Sequence, residues 1–264
     1  LVNFLPLIQN ENMKIYRRPR TWVMSAIMVV IVLTISILWL IFGGRDTSMW
    51  DVAFMESSIL FLLVTIFTVV IAAGGVAEEF TSGTIKLLLI RPWSRSKILL
   101  SKYISIMIFA IMLAILLFAS TLFVNWICFG IHASPDVKPT FAGAEGDNPL
   151  TYMLKYYGLT LISLVVTVTL AFMLSTVFRS SGLAIGMALF LLLGINSFIG
   201  LIAMLDYKWI DYLLFIHLNL TQYLDGNPMR QGMTLGYSLS VLGVYYVIFI
   251  ALTWYIFNKR DVAS

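Results

Sequence analysis

Charge is scarce in this chain. Of 264 residues, 11% are charged and 60% are hydrophobic, whereas a soluble domain carries about 25% charged residues. That excludes a soluble globular protein and points to an integral membrane protein. Cysteine occurs once, at Cys128, so there is no intrachain disulfide and no redox information. No Gly-x-x-x-x-Gly-Lys-Ser/Thr loop is present, so the chain cannot cradle ATP phosphates in that way. His132, His217 and Cys128 are scattered, which leaves no metal-ligand cluster, and no Ser/His/Asp arrangement offers catalysis. No ionisable residue falls near the middle of a long apolar run. Glu56 and Lys155 lie near one set of ends, and Glu78, Lys102 and Arg179 near the other. Proton-driven transporters and voltage sensors need ionisable groups at mid-membrane, so the pattern argues against both. Ion coordination by backbone carbonyls stays open. The net charge of +4 reads as basic cytoplasmic loops rather than as a nucleic-acid footprint.

What is abundant is apolar sequence in runs of spanning length. A transmembrane helix needs about 20 such residues, and six segments qualify: Thr21–Gly43, Phe54–Ala77, Tyr103–Gly130, Tyr152–Phe178, Gly182–Leu205 and Leu235–Asn258. The chain opens on Leu rather than Met, consistent with a trimmed start. Its first apolar run follows a basic stretch and is long enough to span, so no cleavable signal peptide is expected. With six spans, Lys14, Arg17, Arg18, Arg20, Lys86, Arg91, Arg95, Lys97, Lys102, Arg179, Lys259 and Arg260 share one side of the membrane. Arg45, Lys138, Lys155, Lys208 and Arg230 take the other. Basic residues accumulate inside, so both termini are expected in the cytoplasm.

Three segments outside the spans are informative. Residues 1–20 carry Leu1, Phe4, Leu5, Ile8, Ile15 and Tyr16, which can share one helix face, with Asn3, Asn10, Lys14 and Arg17 opposite. That predicts an amphipathic helix on the inner leaflet, the alternative being a disordered basic tail. Residues 206–234 are too polar to span and too apolar to float free, and they predict short helices at the outer interface. Residues 78–100 form a charged island between two spans. There Gly83 can end the preceding helix. Ile85, Leu88 and Leu89 fall on one side of a short helix that Pro92 stops. Ser94 can cap the next helix, with Trp93 and Ile98 as a staple around it. A helix from Arg95 to Phe129 would measure about 52 Å, well beyond a hydrocarbon core of about 30 Å. The short apolar-faced helix then either lies flat on the membrane or inserts into a partner. If the chain moves anything uphill, its energy must come from another subunit.

The run Glu78-Glu79-Phe80-Thr81-Ser82-Gly83-Thr84-Ile85-Lys86, followed by Leu-rich residues, Arg91-Pro92 and Ser94-Arg95, resembles the signature of ABC-2 type permeases. These are the membrane subunits of type V ABC exporters. Glu11 with Lys14 before the first span, and Phe257 to Val262 at the end, extend the likeness across nearly the whole chain. The resemblance implies an all-α permease domain over residues 1–264 that works as a dimer, with a second copy or a paralogue, on a dimer of ATPase subunits. ATP and Mg²⁺ would be held by that partner and no cofactor by this chain. Glu78, Glu79, Gly83, Thr84, Ile85, Leu88, Leu89, Arg91 and Pro92 would dock the ATPase. Glu11, Lys14, Arg17 and Arg18 would belong to the interface helix. The short outer loops are similar to those of bacitracin- and lantibiotic-type permeases of Gram-positive bacteria. That implies a plasma-membrane exporter of an amphipathic or hydrophobic substrate, such as an antimicrobial peptide, drug or lipid, with a role in antibiotic resistance or immunity.

Small and hydroxyl residues recur at helical spacing: Thr65, Thr68, Ala72 and Gly75; Gly182 and Gly186; Gly236, Ser240 and Gly243. Close helix packing is the favoured reading. Asn196, Thr65 and Thr68 are the candidates for a substrate path. Two other classes remain on the sequence alone: a non-transporting membrane anchor or sensor that recruits a cytosolic ATPase, and a lipid-modifying membrane enzyme, for which no catalytic constellation is visible. A channel is less well supported, because no filter-like loop or ring-forming charges stand out.

Overall fold

A computed structural model describes residues 4–43, 47–84, 93–130, 148–195, 198–199, 202, 207–224, 226, 228–230 and 232–259. The helices are α1 (Leu5–Tyr16), α2 (Pro19–Phe42), α3 (Met49–Thr81), α4 (Arg95–Asn125), α5 (Pro149–Val177), α6 (Ser181–Leu189), α7 (Leu214–His217) and α8 (Leu235–Lys259). π-Helical turns continue α4 over Trp126–Gly130 and α6 over Phe190–Ile195, and 3₁₀ turns cover Lys208–Tyr212 and Leu220–Tyr223. No strand occurs among the described residues. Five helices are long and apolar enough to cross a bilayer: α2, α3, α4 with its π turn, α5 and α8. The protein is therefore a multi-pass, nearly all-helical membrane protein. The fifth expected run appears as a shorter apolar helix, Ser181–Gly194, and most of its remainder lies outside the described residues.

Local signals set the helix ends. Pro19 opens α2 at the first helical position, where its missing N–H would have no partner anyway. Ser180 caps α6, its Oγ accepting from the Leu183 N–H at 3.5 Å. Helix α4 with its π turn covers 36 residues, or about 54 Å at helical rise, so the expected overlong helix is present. Exposed apolar side chains cover α2, among them Trp22, Val30, Ile37 and Phe42. A surface helix that is apolar on all sides faces lipid.

The chain divides into two compact units. One comprises Leu1–Met13, Thr65–Phe109 and Leu159–Ser264; the other comprises Lys14–Val64 and Ala110–Gly158. In the first, α3, α4 and α5 converge on Gly75. A Cβ built there would stand 3.1 Å from Ile106 Cδ1 and 3.7 Å from Phe172 Cε2. At the next two residues, the Val76 and Ala77 N–H groups donate to Ser175 Oγ at 2.9 and 3.0 Å. Tyr103 on α4 meets Thr169 Oγ1 on α5 at 2.8 Å. The other unit packs Phe54 edgewise on Tyr152 and Tyr156, and Phe61 and Phe118 on Tyr157.

One packing expectation fails within the chain. Nothing stands within 4 Å of a Cβ built on Gly186, Gly236 or Gly243. These glycines lie on exposed sides of α6 and α8, so the favoured packing reading holds for Gly75 and not for them. On α1, Leu7 and Glu11 are buried against the protein, while Leu5 is 68% exposed. A charged partner on α4, described below, sets that rotation.

The segment between α6 and α8 forms the expected short helices. Its centre is His217, which is fully buried. The imidazole Nε2 lies 2.9 Å from the Asp211 carbonyl oxygen, which can only accept, so Nε2 carries the proton. Nδ1 then accepts from Ser238 Oγ at 2.7 Å, and Ser238 Oγ is 2.6 Å from the Tyr223 hydroxyl. Burial holds the imidazole below its ordinary range, so the folded state binds the proton less readily than the unfolded chain does. The contribution of His217 to stability is therefore full above about pH 6.5 and is lost as pH falls below that value. Thermal unfolding of purified protein should show this acid loss, and His217→Gln should flatten it. Gly75→Val should lower stability by about 1–3 kcal/mol through overpacking, read in the same assay.

Candidate functional site

The strongest polar constellation in the first unit joins α1, α3 and α4. Lys102 stands seven residues into α4, about 10 Å from its start. Its Nζ lies 2.9 Å from Glu11 Oε2 on α1 and 2.9 Å from Glu79 Oε1 on α3. The side chains of Lys102, Glu11 and Glu79 are 6%, 7% and 14% exposed. The second Glu79 oxygen accepts from Thr84 Oγ1, which also pairs with Ser82 Oγ at 2.9 Å. One ammonium thus holds two carboxylates, and one of these reaches beyond the end of α3.

Neighbouring contacts fix the three ends that carry the triad. Leu7 and Ile98 form a small apolar cluster with Phe4 and Trp93 packed against it, so the expected Trp93–Ile98 staple also seats α1. Ser105 Oγ donates to the Ile8 carbonyl at 3.3 Å. Gly83 has φ +71°, the left-handed conformation that ends a helix at no steric cost. Just before it, Thr81 Oγ1 donates to the Arg179 carbonyl at 3.2 Å and accepts from the Ser181 N–H at 3.1 Å. Arg95 donates to the Asn258 carbonyl at 3.2 Å, which ties the end of α8 to the start of α4.

The predicted site residues separate into several groups. Glu11 and Glu79 meet at Lys102. Glu78 sits half-buried beside Gly74, where a Cβ would come 2.8 Å from its Oε1. Gly83 and Thr84 are exposed at the end of α3, Lys14 is half-buried in the last turn of α1, and Arg17 and Arg18 are exposed. Ile85, Leu88, Leu89, Arg91, Pro92 and Asn196 lie outside the described residues. Thr68 is fully buried and Thr65 half-buried. An apolar cleft in the same unit is lined by Val69, Thr167, Leu170, Leu192, Phe215 and neighbours, and by neither Thr65 nor Thr68. Among the described residues no group of His, Cys, Asp and Glu could hold a metal ion. Sequence reasoning missed Lys102 as the hub. The available signal was a lone Lys immediately before the apolar run that starts at Tyr103.

Residues 22–263 match a family described as "Protein of unknown function (DUF2705)". The chain belongs to that family. It is 39% identical over 224 residues to "Uncharacterized protein YhcI" of Bacillus subtilis, covering 83% of this chain and 71% of the relative. It is 30% identical over 254 residues to "Uncharacterized membrane protein YdbK" of the same organism, covering 95% of this chain and 99% of that one. The family match takes in Glu79 and Lys102, while Glu11 precedes it.

Removing one member of a buried ion pair leaves an uncompensated charge, at about 3–5 kcal/mol. Lys102→Met removes the ammonium that Glu11 and Glu79 share and should destabilise by that order. Glu11→Gln leaves Lys102 paired with Glu79 and should cost distinctly less. Denaturation midpoints in detergent check the order; equal losses would mean that Lys102 is not the hub.

Proposed function

We propose that this chain is the permease subunit of an ATP-driven ABC exporter of the ABC-2 type. It has six spans and both termini in the cytoplasm of a bacterial plasma membrane. The observation that carries the reading is the buried Glu11–Lys102–Glu79 triad, set beside the sequence that resembles a coupling element. The triad ties together the ends of the two helices that flank residues 85–92, and it adds α1 to the same joint. A force applied at residues 85–92 would then pass to α3 and α4 as one body, because a triad of opposite charges resists separation once it is out of water.

The absence of a phosphate-binding loop supports a division of labour. ATP and Mg²⁺ sit on a separate ATPase subunit, and this chain supplies the path. The permease works as a dimer, with a second copy or a paralogue. The resemblance to bacitracin- and lantibiotic-type permeases supports a hydrophobic or amphipathic substrate, such as an antimicrobial peptide, drug or lipid.

The test is co-purification. A Leu88→Asp/Leu89→Asp variant should reach the membrane at wild-type levels and lose the ATPase subunit that accompanies the wild-type chain. The reading fails if the variant retains the ATPase with its ATP turnover still coupled to transport. It also fails if no ATPase accompanies the wild type.

A further inference from the structure

The second unit contains a carboxylate that the proposed function does not use. Glu56 lies seven residues into α3 and is fully buried, as are Ser36 on α2 and Asn125 at the end of α4. Ser36 Oγ is 2.7 Å from Glu56 Oε1, and Asn125 Nδ2 is 2.6 Å from Glu56 Oε2. Ser36 Oγ also lies 3.4 Å from Asn125 Oδ1. Three helices of spanning length therefore meet in a closed triangle of polar groups. Among the described residues, the ion pairs include none to Glu56.

Hydrogen-bond arithmetic identifies what the triangle lacks. Asn125 Nδ2 also donates to the Thr121 carbonyl at 2.9 Å. A carbonyl only accepts, so the nitrogen must stand on that side, and Oδ1 must face Ser36. Ser36 owns a single proton. If Glu56 is ionised, Ser36 gives that proton to Oε1, and the buried Asn125 Oδ1 is left without a donor. If Oε1 carries a proton, it donates to Ser36 Oγ, Ser36 donates to Asn125 Oδ1, and Asn125 donates to Oε2. Every group in the ring is then served once around the cycle. Burying an ionised carboxylate without a cation is strongly unfavourable, and unsatisfied buried acceptors are rare.

We propose that Glu56 with Ser36 and Asn125 forms a proton-binding site, in which one bound proton closes a hydrogen-bonded ring across α2, α3 and α4. A metal cation does not suit the same place, because the Asn125 amide presents N–H, not oxygen, to Glu56 Oε2. Two further titratable groups face Glu56 from neighbouring elements, the Cys128 thiol in the π turn after α4 and the Tyr157 hydroxyl on α5. Tyr157 is already engaged as a donor to Ser57 Oγ at 2.9 Å. Neither brings a positive charge, so the bound proton is what neutralises the site. This inference is independent of the transport reading.

The experiment is infrared difference spectroscopy of the purified full chain at about neutral pH, in a detergent without ester groups. The wild type should show a carboxylic-acid C=O band that disappears in Glu56→Gln. That variant presents N–H to Ser36 and C=O to Asn125, so it should keep a wild-type melting temperature. Asn125→Ala, which opens the ring, should lower the melting temperature by about 4 °C or more. Should Glu56→Gln not fold, Ser36→Ala serves instead: it removes the acceptor of the Glu56 proton and should move the C=O band to higher frequency. The proposal is overturned if the band is absent from the wild type, survives Glu56→Gln, or stays unmoved in Ser36→Ala.

Discussion

In a chain whose long helices are apolar on nearly every side, hydrophobicity cannot choose which helix meets which. Lipid tails are as apolar as leucine, so helix association in a bilayer relies on close packing and on polar contacts. The few polar groups within these helices therefore carry a disproportionate share of the specificity. Lys102, buried between Glu11 and Glu79, is the strongest of them. It decides which side of α1 turns inward, because burying Glu11 without Lys102 would be prohibitive. Leu7 follows one turn earlier on the same side.

The two units apply this constraint with different chemistry. The first uses full charges near helix ends, where one ammonium is shared by two carboxylates. It backs them with neutral contacts deeper in the helices, such as Tyr103 with Thr169 and the Ser175 hydroxyl with two amides of α3. Gly75 sits at the same joint beside Ile106 and Phe172, where a branched side chain would overpack. In the second unit, no ion pair to the buried Glu56 occurs among the described residues. That unit surrounds Glu56 with a serine and an asparagine, an environment that suits a neutral group.

The transport reading rests on the first arrangement. A segment that receives a push is useful only if the helices on either side move with it. The triad, the Gly83 turn, and the bonds of Thr81 and Arg95 to neighbouring chain ends supply that stiffness. The rest of the proposal, the partner ATPase above all, follows from the resemblance and from the missing phosphate loop. The family and its two Bacillus relatives are defined without a stated activity, so they bear on membership and not on mechanism.

Much of this was legible in the sequence. Composition and run length are local quantities, and they determined the membrane class, the all-helical architecture, the overlong α4 and the short helices between α6 and α8. Gly83 and the Trp93–Ile98 staple were readable because turn and capping chemistry acts within a few residues. Glu11 and Glu79 were singled out separately, each for a motif. Their common partner Lys102 was not, since it lies 91 positions from one and 23 from the other. The Ser36–Glu56–Asn125 ring was invisible for the same reason: each residue alone looks like a tolerated polar group near the end of a span. Sequence by itself determined what each segment is. Tertiary structure decided which buried charge and which hydroxyl answer one another, because hydrogen bonds and ion pairs depend on ångström distances between helices that are far apart in the chain.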